Sequence, residues 1–312
     1  MDLADVIREI RDFVNAPRRQ YAIMQDRRAW FQLCASMDLV EDSQLAIDAY
    51  RGAESDSDGA LYLAVYGLLQ AFFLQQDAVG HLASALGIST SEDPELKAVR
   101  EARNDIAGHP TIRRGKKKKA AFTTHSISRW SLSTDEIEVY SSDEQASSLY
   151  PRRFRISELI EKQRQGIARA LSAIQSELAR REREHVAKFS GQPLTAVFPQ
   201  TLDYTFSKIA EGLRSAGMHG LARANLQSVA SILASFRDAL VQRGELPANE
   251  HLEYDLAQLD YPLERLAKYL DDPDGDALSA ADAEIYRFYI ERKFDDLIAI
   301  AKEIDREYGE NA

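Results

Sequence analysis

An arginine, an amide and a histidine fall close together in the stretch Arg103-Asn104-Asp105-Ile106-Ala107-Gly108-His109-Pro110. A planar guanidinium grips an anionic oxygen pair through two parallel hydrogen bonds and keeps its charge at every accessible pH. An imidazole exchanges a proton near neutrality, so it serves as acid or base. These types suit a reaction in which negative charge gathers on oxygen while a proton moves. A few residues downstream lie six cations, Arg113, Arg114, Lys116, Lys117, Lys118 and Lys119, with no acid among them. Such an island can contact phosphates; the plainer alternative is a solvated tip between two elements.

The elements that must position these groups are readable from periodicity. Asp93 and Pro94 have the chemistry of an N-cap and first helical residue, so a helix is expected from Pro94 to Gly108. On it Arg103 shares a stripe with Leu96, Val99 and Ile106, which places the guanidinium towards the interior. A buried unpaired charge costs several kcal/mol, so Arg103 needs a partner, and Asp77 on the preceding helix is the candidate. Gly108 permits a left-handed helix end, and Pro110 disfavours the α conformation at His109. The helix should therefore stop at Gly108, and the turn could carry the imidazole back towards Arg103. The preceding segment, Leu61 to Leu86, is apolar around most of its circumference except for Gln70, Asp77, His81 and Ser84. Their spacing makes one narrow polar stripe, either the solvent edge of a buried helix or the lining of a polar site.

Beyond the motif, β-branched and aromatic residues predict a β-hairpin at about 120–141, followed by a serine-rich linker from Ser141 to Tyr150. A long helix spans Ile156 to about Phe189, and Ser190-Gly191-Gln192-Pro193 is the expected domain boundary. Four helical patterns follow, near 201–215, 219–243, 251–271 and 279–308. Their aromatics, Phe206, Phe236, Tyr254, Tyr269, Tyr286, Phe288, Tyr289 and Phe294, are assigned to the core of a second bundle. Of the remaining histidines, His81, His185, His219 and His251 read as surface or satisfied core residues. His125 is set apart because the hairpin could fold back over the motif.

Hydrophobic residues make up 45% of the 312-residue chain and charged ones 29%, which provides for a real core and excludes a wholly disordered chain. A net charge of −11 argues against binding nucleic acid through bulk attraction, which leaves that task to the local island. The single cysteine, Cys34, has no partner for an internal disulfide or a thiolate zinc site. No apolar run approaches the ~18 residues that span a bilayer, and the acidic start is unlike a signal peptide, so a cytoplasmic protein with no membrane partner is expected. No metal site, cofactor motif, glycine-rich phosphate loop or EF-hand is found; the acids at 54–58 and 271–276 read as loops.

The order Arg103-Asn104-x4-His109 resembles the signature of HEPN domains, helical domains that include many metal-independent ribonucleases of defence and toxin systems. The likeness covers about residues 55–189. With the periodicities above, which alone account for residues 1–54 and 190–312, the expected fold is all-α: a HEPN-like helical bundle with a β-hairpin insertion, followed by a second helical bundle at 195–312, with residues 1–54 packing on the first. The likeness implies the bundle at 55–189. It also implies that Arg103 and His109 carry the chemistry with Asn104 in support, and that the site forms across a homodimer. RNA is the implied substrate and an antitoxin or other protein a possible partner. In such a reaction a 2′-hydroxyl attacks phosphorus, histidine moves the protons, and the guanidinium holds the phosphorane. The alternative is a non-catalytic scaffold of the same fold that dimerises, binds nucleotides or binds another protein.

Overall fold

A computed structural model of the chain describes residues 3–51, 57–108, 113–114, 122–143, 148–275 and 278–310. Helices dominate both halves, and the all-α class stands, with one small sheet inserted in the first half. The chain divides into two compact units, Met1–Asn15 with Ile23–Leu178, and Ala16–Ala22 with Ala179–Ala312. That division falls inside a helix, ahead of the Ser190–Pro193 turn. Glycine and proline mark where the chain bends, whereas compact units part where their apolar contacts do.

In the first unit, α1 (Leu3–Asn15) buries Val6, Ile7, Ile10 and Val14, the three-to-four spacing of an amphipathic helix. After α2 (Pro17–Met24), α3 (Arg27–Arg51) and α4 (Asp58–Ala85) form an antiparallel pair. Leu33, Met37 and Val40 of α3 share a core with Val79 and Leu82 of α4, together with Val6 and Ile7. At the other end Ile47 joins Leu61, Val65 and the wholly buried Phe72. Ser57 caps α4 by accepting from the Ala60 amide, and α5 (Pro94–Arg103) starts as expected, with Asp93 accepting from the amides of Glu95 and Leu96.

Four antiparallel strands follow in the order β1 (Arg113–Arg114), β2 (Phe122–Ile127), β3 (Glu136–Asp143) and β4 (Tyr150–Arg155). The expected hairpin is β2–β3. The serine-rich linker is corrected at both ends: Ser141 to Asp143 continue β3, and Tyr150 opens β4. Serine and threonine satisfy a strand as well as a loop when cross-strand partners exist, which composition alone does not reveal. Pro151 is tolerated because β4 is the edge strand. The sheet contributes Ile137 and Val139 to the core shared by α4, α5 and the start of α6 (Ile156–Phe189). Gly166 on α6 permits close passage of α5, since a Cβ there would stand 2.5 Å from Cγ of Leu96.

The second unit packs α7 (Leu202–Arg214), α8 (His219–Arg243), α9 (Glu250–Ala257), α10 (Asp260–Asp271) and α11 (Ala280–Glu310) around Phe206, Phe236 and Phe294. Tyr269 is also buried, but Tyr254 and Phe288 are exposed, so two of the aromatics assigned to this core lie on its outer side. The expected helix at 251–271 is broken near Leu259 into α9 and α10. Among the described residues no helix is long and apolar enough to cross a membrane.

Candidate functional site

The helix that carries the motif changes period where the motif begins. It is α-helical from Pro94 to Arg103 and widens into a π-helical turn over Asn104–Gly108. Turns of this kind are uncommon and occur often at functional sites, because the extra residue per turn redirects the side chains that follow.

Arg103 is half-buried, and its guanidinium is fixed on three sides. Nη2 donates to Oε1 of Gln70 at 3.0 Å, Nη1 donates to Oδ1 of Asn104 at 3.1 Å, and the group lies 4.6 Å from the ring centre of Phe73. Two amide oxygens and an aromatic face orient the cation without neutralising it. Among the described residues no carboxylate pairs with Arg103.

Asp77, expected to pair with Arg103, pairs instead with Arg100, whose Nη2 lies 2.5 Å from Oδ1. The cause is the antiparallel run of α4 against α5. One turn along α5 from Arg100 to Arg103 corresponds to two turns back along α4, from Asp77 to Gln70. Arg100 also donates through Nε to Gln76 at 3.0 Å and lies 4.7 Å from the opposing Phe73 ring. The polar stripe on α4 thus splits: Gln70 and Asp77 meet the two arginines, while His81 and Ser84 are exposed.

Behind this pair runs a chain of glutamine amides, two of them buried, that the periodicity of α4 did not bring out. Gln76 donates to Gln163 at 2.8 Å, Gln163 to Gln75 at 2.9 Å, and Gln75 to Gln44 at 3.1 Å. Gln75 and Gln163 are each 1% exposed, so their partners are obligatory and tie α3, α4 and α6 together beneath α5.

Gly108 serves a different purpose from the one its type implied. Positive φ occurs among the described residues only at Gly87 and Gly244, so Gly108 does not end the helix in a left-handed conformation. A Cβ on it would lie 2.8 Å from Nη1 of Arg103 and 3.0 Å from Oδ1 of Asn104. The bare backbone is what gives the guanidinium its place.

The hairpin does fold back on the motif, and His125 is the residue it brings. His125 and Ser141 are directly opposed across β2 and β3, with Nδ1 2.8 Å from the serine Oγ. On the other side Nε2 lies 3.4 Å from Oδ1 of Asp105, in the π-helical turn. Arg152 of β4 donates to Oδ2 of the same carboxylate at 2.5 Å. Asp105, His125 and Ser141 are all buried, so this row fastens the motif turn to the sheet. Asp105 and Arg152 were not singled out from sequence. The signal for Asp105 was its place inside the motif; Arg152 gave none, because strand register decides which of the β4 arginines points inward.

His109 and Lys116 to Lys119 lie outside the described residues. Arg113 and Arg114 form β1, opposite Thr123 and Phe122, so the basic island begins on a paired strand. No group of His, Cys, Asp and Glu side chains able to hold a metal ion occurs among the described residues. No protein-family model, curated protein or solved structure matches the chain.

Proposed function

We propose that the first unit is an endoribonuclease of HEPN type that needs no metal and works through the 2′-hydroxyl of its substrate. The observation that carries this reading is Arg103: a guanidinium held by Gln70, Asn104 and Phe73, with no carboxylate among the described residues to quench it. In the proposed reaction this group receives a phosphate oxygen and stabilises the charge that builds on the phosphorane. His109, the residue after Gly108, takes the 2′-hydroxyl proton or protonates the leaving 5′-oxygen. A second copy of the chain supplies the complementary imidazole across a two-fold axis. Arg113 to Lys119 add phosphate contacts along the strand.

The test compares wild type, His109→Ala and Arg103→Ala on single-stranded RNA in EDTA. Wild type should cleave and leave a 2′,3′-cyclic phosphate or its hydrolysed form, while the matching DNA strand stays intact. His109→Ala should lose at least the ~10²-fold typical of acid–base groups. Arg103→Ala should lose a similar factor with a nearly unchanged melting temperature, because it strands two solvated amides and no carboxylate. Wild type that leaves RNA uncut, or His109→Ala that cleaves as fast as wild type, would sink the enzyme and favour the scaffold.

A further inference from the structure

An open cleft of about 510 Å³ lies between the start of α4 and the end of β2. Tyr62 and Tyr66 of α4 form one wall, with ring centres 5.9 Å apart and planes inclined by 56°. Ile106 of the motif turn and Ile127 give an apolar floor. Asp58 and Arg129 supply opposite charges to the lining, and among the described residues neither makes an ion pair. Asp58 is not needed as a cap, since Ser57 fills that role for α4. These two charges, without an ion pair among the described residues, share one aromatic cleft in a chain where most arginines find a carboxylate.

We propose that this cleft is the pocket for a guanine base of the bound strand, a reading that rests on RNA being the substrate of the Arg103 site. Aromatic side chains stack on any base, so the tyrosines set affinity and the charges set identity. Guanine presents two adjacent N–H donors, N1 and N2, which match a carboxylate. It also presents the O6 and N7 acceptors, which match a guanidinium through two bonds. Adenine would set its N1 lone pair against the Asp58 oxygens, and a pyrimidine would leave part of the cleft wall uncovered. The path to the reaction centre is short. Tyr62, Tyr66 and Gln70 follow one another at four-residue spacing on α4, and Gln70 holds Arg103. Eight residues of helix cover about 12 Å, a distance that a short stretch of extended oligonucleotide spans.

Calorimetric titration of the full chain with GMP, AMP, CMP and UMP tests the assignment. GMP should bind at least about tenfold more tightly than AMP, the discrimination expected of a bidentate contact. Asp58→Asn and Arg129→Gln should each remove about tenfold of GMP affinity without lowering that for AMP, while Tyr66→Ala should weaken both purines. Equal affinity for the four nucleotides, or full GMP affinity in both charge variants, overturns the pocket. Cleavage in EDTA separates the two readings. RNA cut with no preference around guanine removes the pocket and keeps the nuclease; GMP preference with no cleavage keeps the pocket and removes the nuclease.

Discussion

Arg103 shows how little is needed to aim a cation without neutralising it. Gln70 and Asn104 each offer one carbonyl oxygen, Phe73 offers its face, and Gly108 contributes empty space. The last of these can be removed by a single methyl group. In Gly108→Ala the new Cβ would meet Nη1 of Arg103 at 2.8 Å, and the guanidinium, at the end of a flexible chain, would yield before the backbone does. The helical turn itself favours alanine over glycine by roughly 0.5–1 kcal/mol. Stability should therefore hold or rise slightly, while the proposed cleavage of RNA falls by up to about 10²-fold, the scale of an ångström of misplacement. Thermal melts and single-turnover cleavage measured on the same variant check this. Undiminished cleavage would mean that the orientation of Arg103 against Gly108 has no part in the chemistry.

Among the elements, the helices were legible because each carries its own period and caps. Asp93 and Pro94 announced α5, and Val6, Ile7, Ile10 and Val14 announced α1. What was not legible depends on partners distant in sequence. The stripe on α4 named Gln70 and Asp77 but not which arginine each would meet, because that follows from the antiparallel run of α4 against α5. The π-helical turn has no composition of its own, and β4 runs from Tyr150, the end of the expected linker, through residues for which no element was expected. Close approach is equally silent: Gly166 looks like any helical glycine, yet a Cβ there would strike Leu96 at 2.5 Å. Gly166→Ala should cost about 1–3 kcal/mol by pushing α5 from α6, the usual penalty of overpacking. Gly67→Ala, with nothing within 4 Å, is the control and should not destabilise. Equal unfolding midpoints for the two variants would refute the packing argument. In the second unit, His185 meets the hydroxyl of Tyr308 at 2.9 Å, and burial followed by the charge of Arg18 lowers its pKa below the ordinary 6.5. As pH falls below that ordinary value, the unfolded chain takes up a proton that the folded His185 refuses. Its contribution is thus intact above about pH 6.5 and is lost on acidification through the lowered pKa. Half-buried Glu245, whose pKa is raised by desolvation, acts in the opposite sense, so the useful quantity is a difference. The gap in unfolding free energy between wild type and His185→Gln should narrow on acidification through this window. A gap that does not change with pH would show that His185 titrates alike in both states.

At the scale of the whole molecule, charge sets the two proposed associations against each other. Each chain carries a net −11, so two copies repel at long range, whereas on the proposed reading RNA is drawn by the local island from Arg113 to Lys119. Salt screens the first effect and competes with the second. The shared-site reading requires a homodimer, because each chain offers the motif histidine once and the reaction gains from both a base and an acid. Raising salt from about 50 to 200 mM should therefore strengthen self-association in light scattering while weakening RNA binding in the same buffers. Replacing Lys116 to Lys119 by glutamine should flatten the salt slope of RNA binding and, by making each copy still more negative, weaken the dimer at low salt. Cleavage at limiting protein concentration should then peak at intermediate salt, where enough chain is dimeric and the strand is still held. A chain that stays monomeric across the whole range while cleaving RNA at a rate linear in its concentration would rule out the two-fold site and place the whole reaction within one protomer.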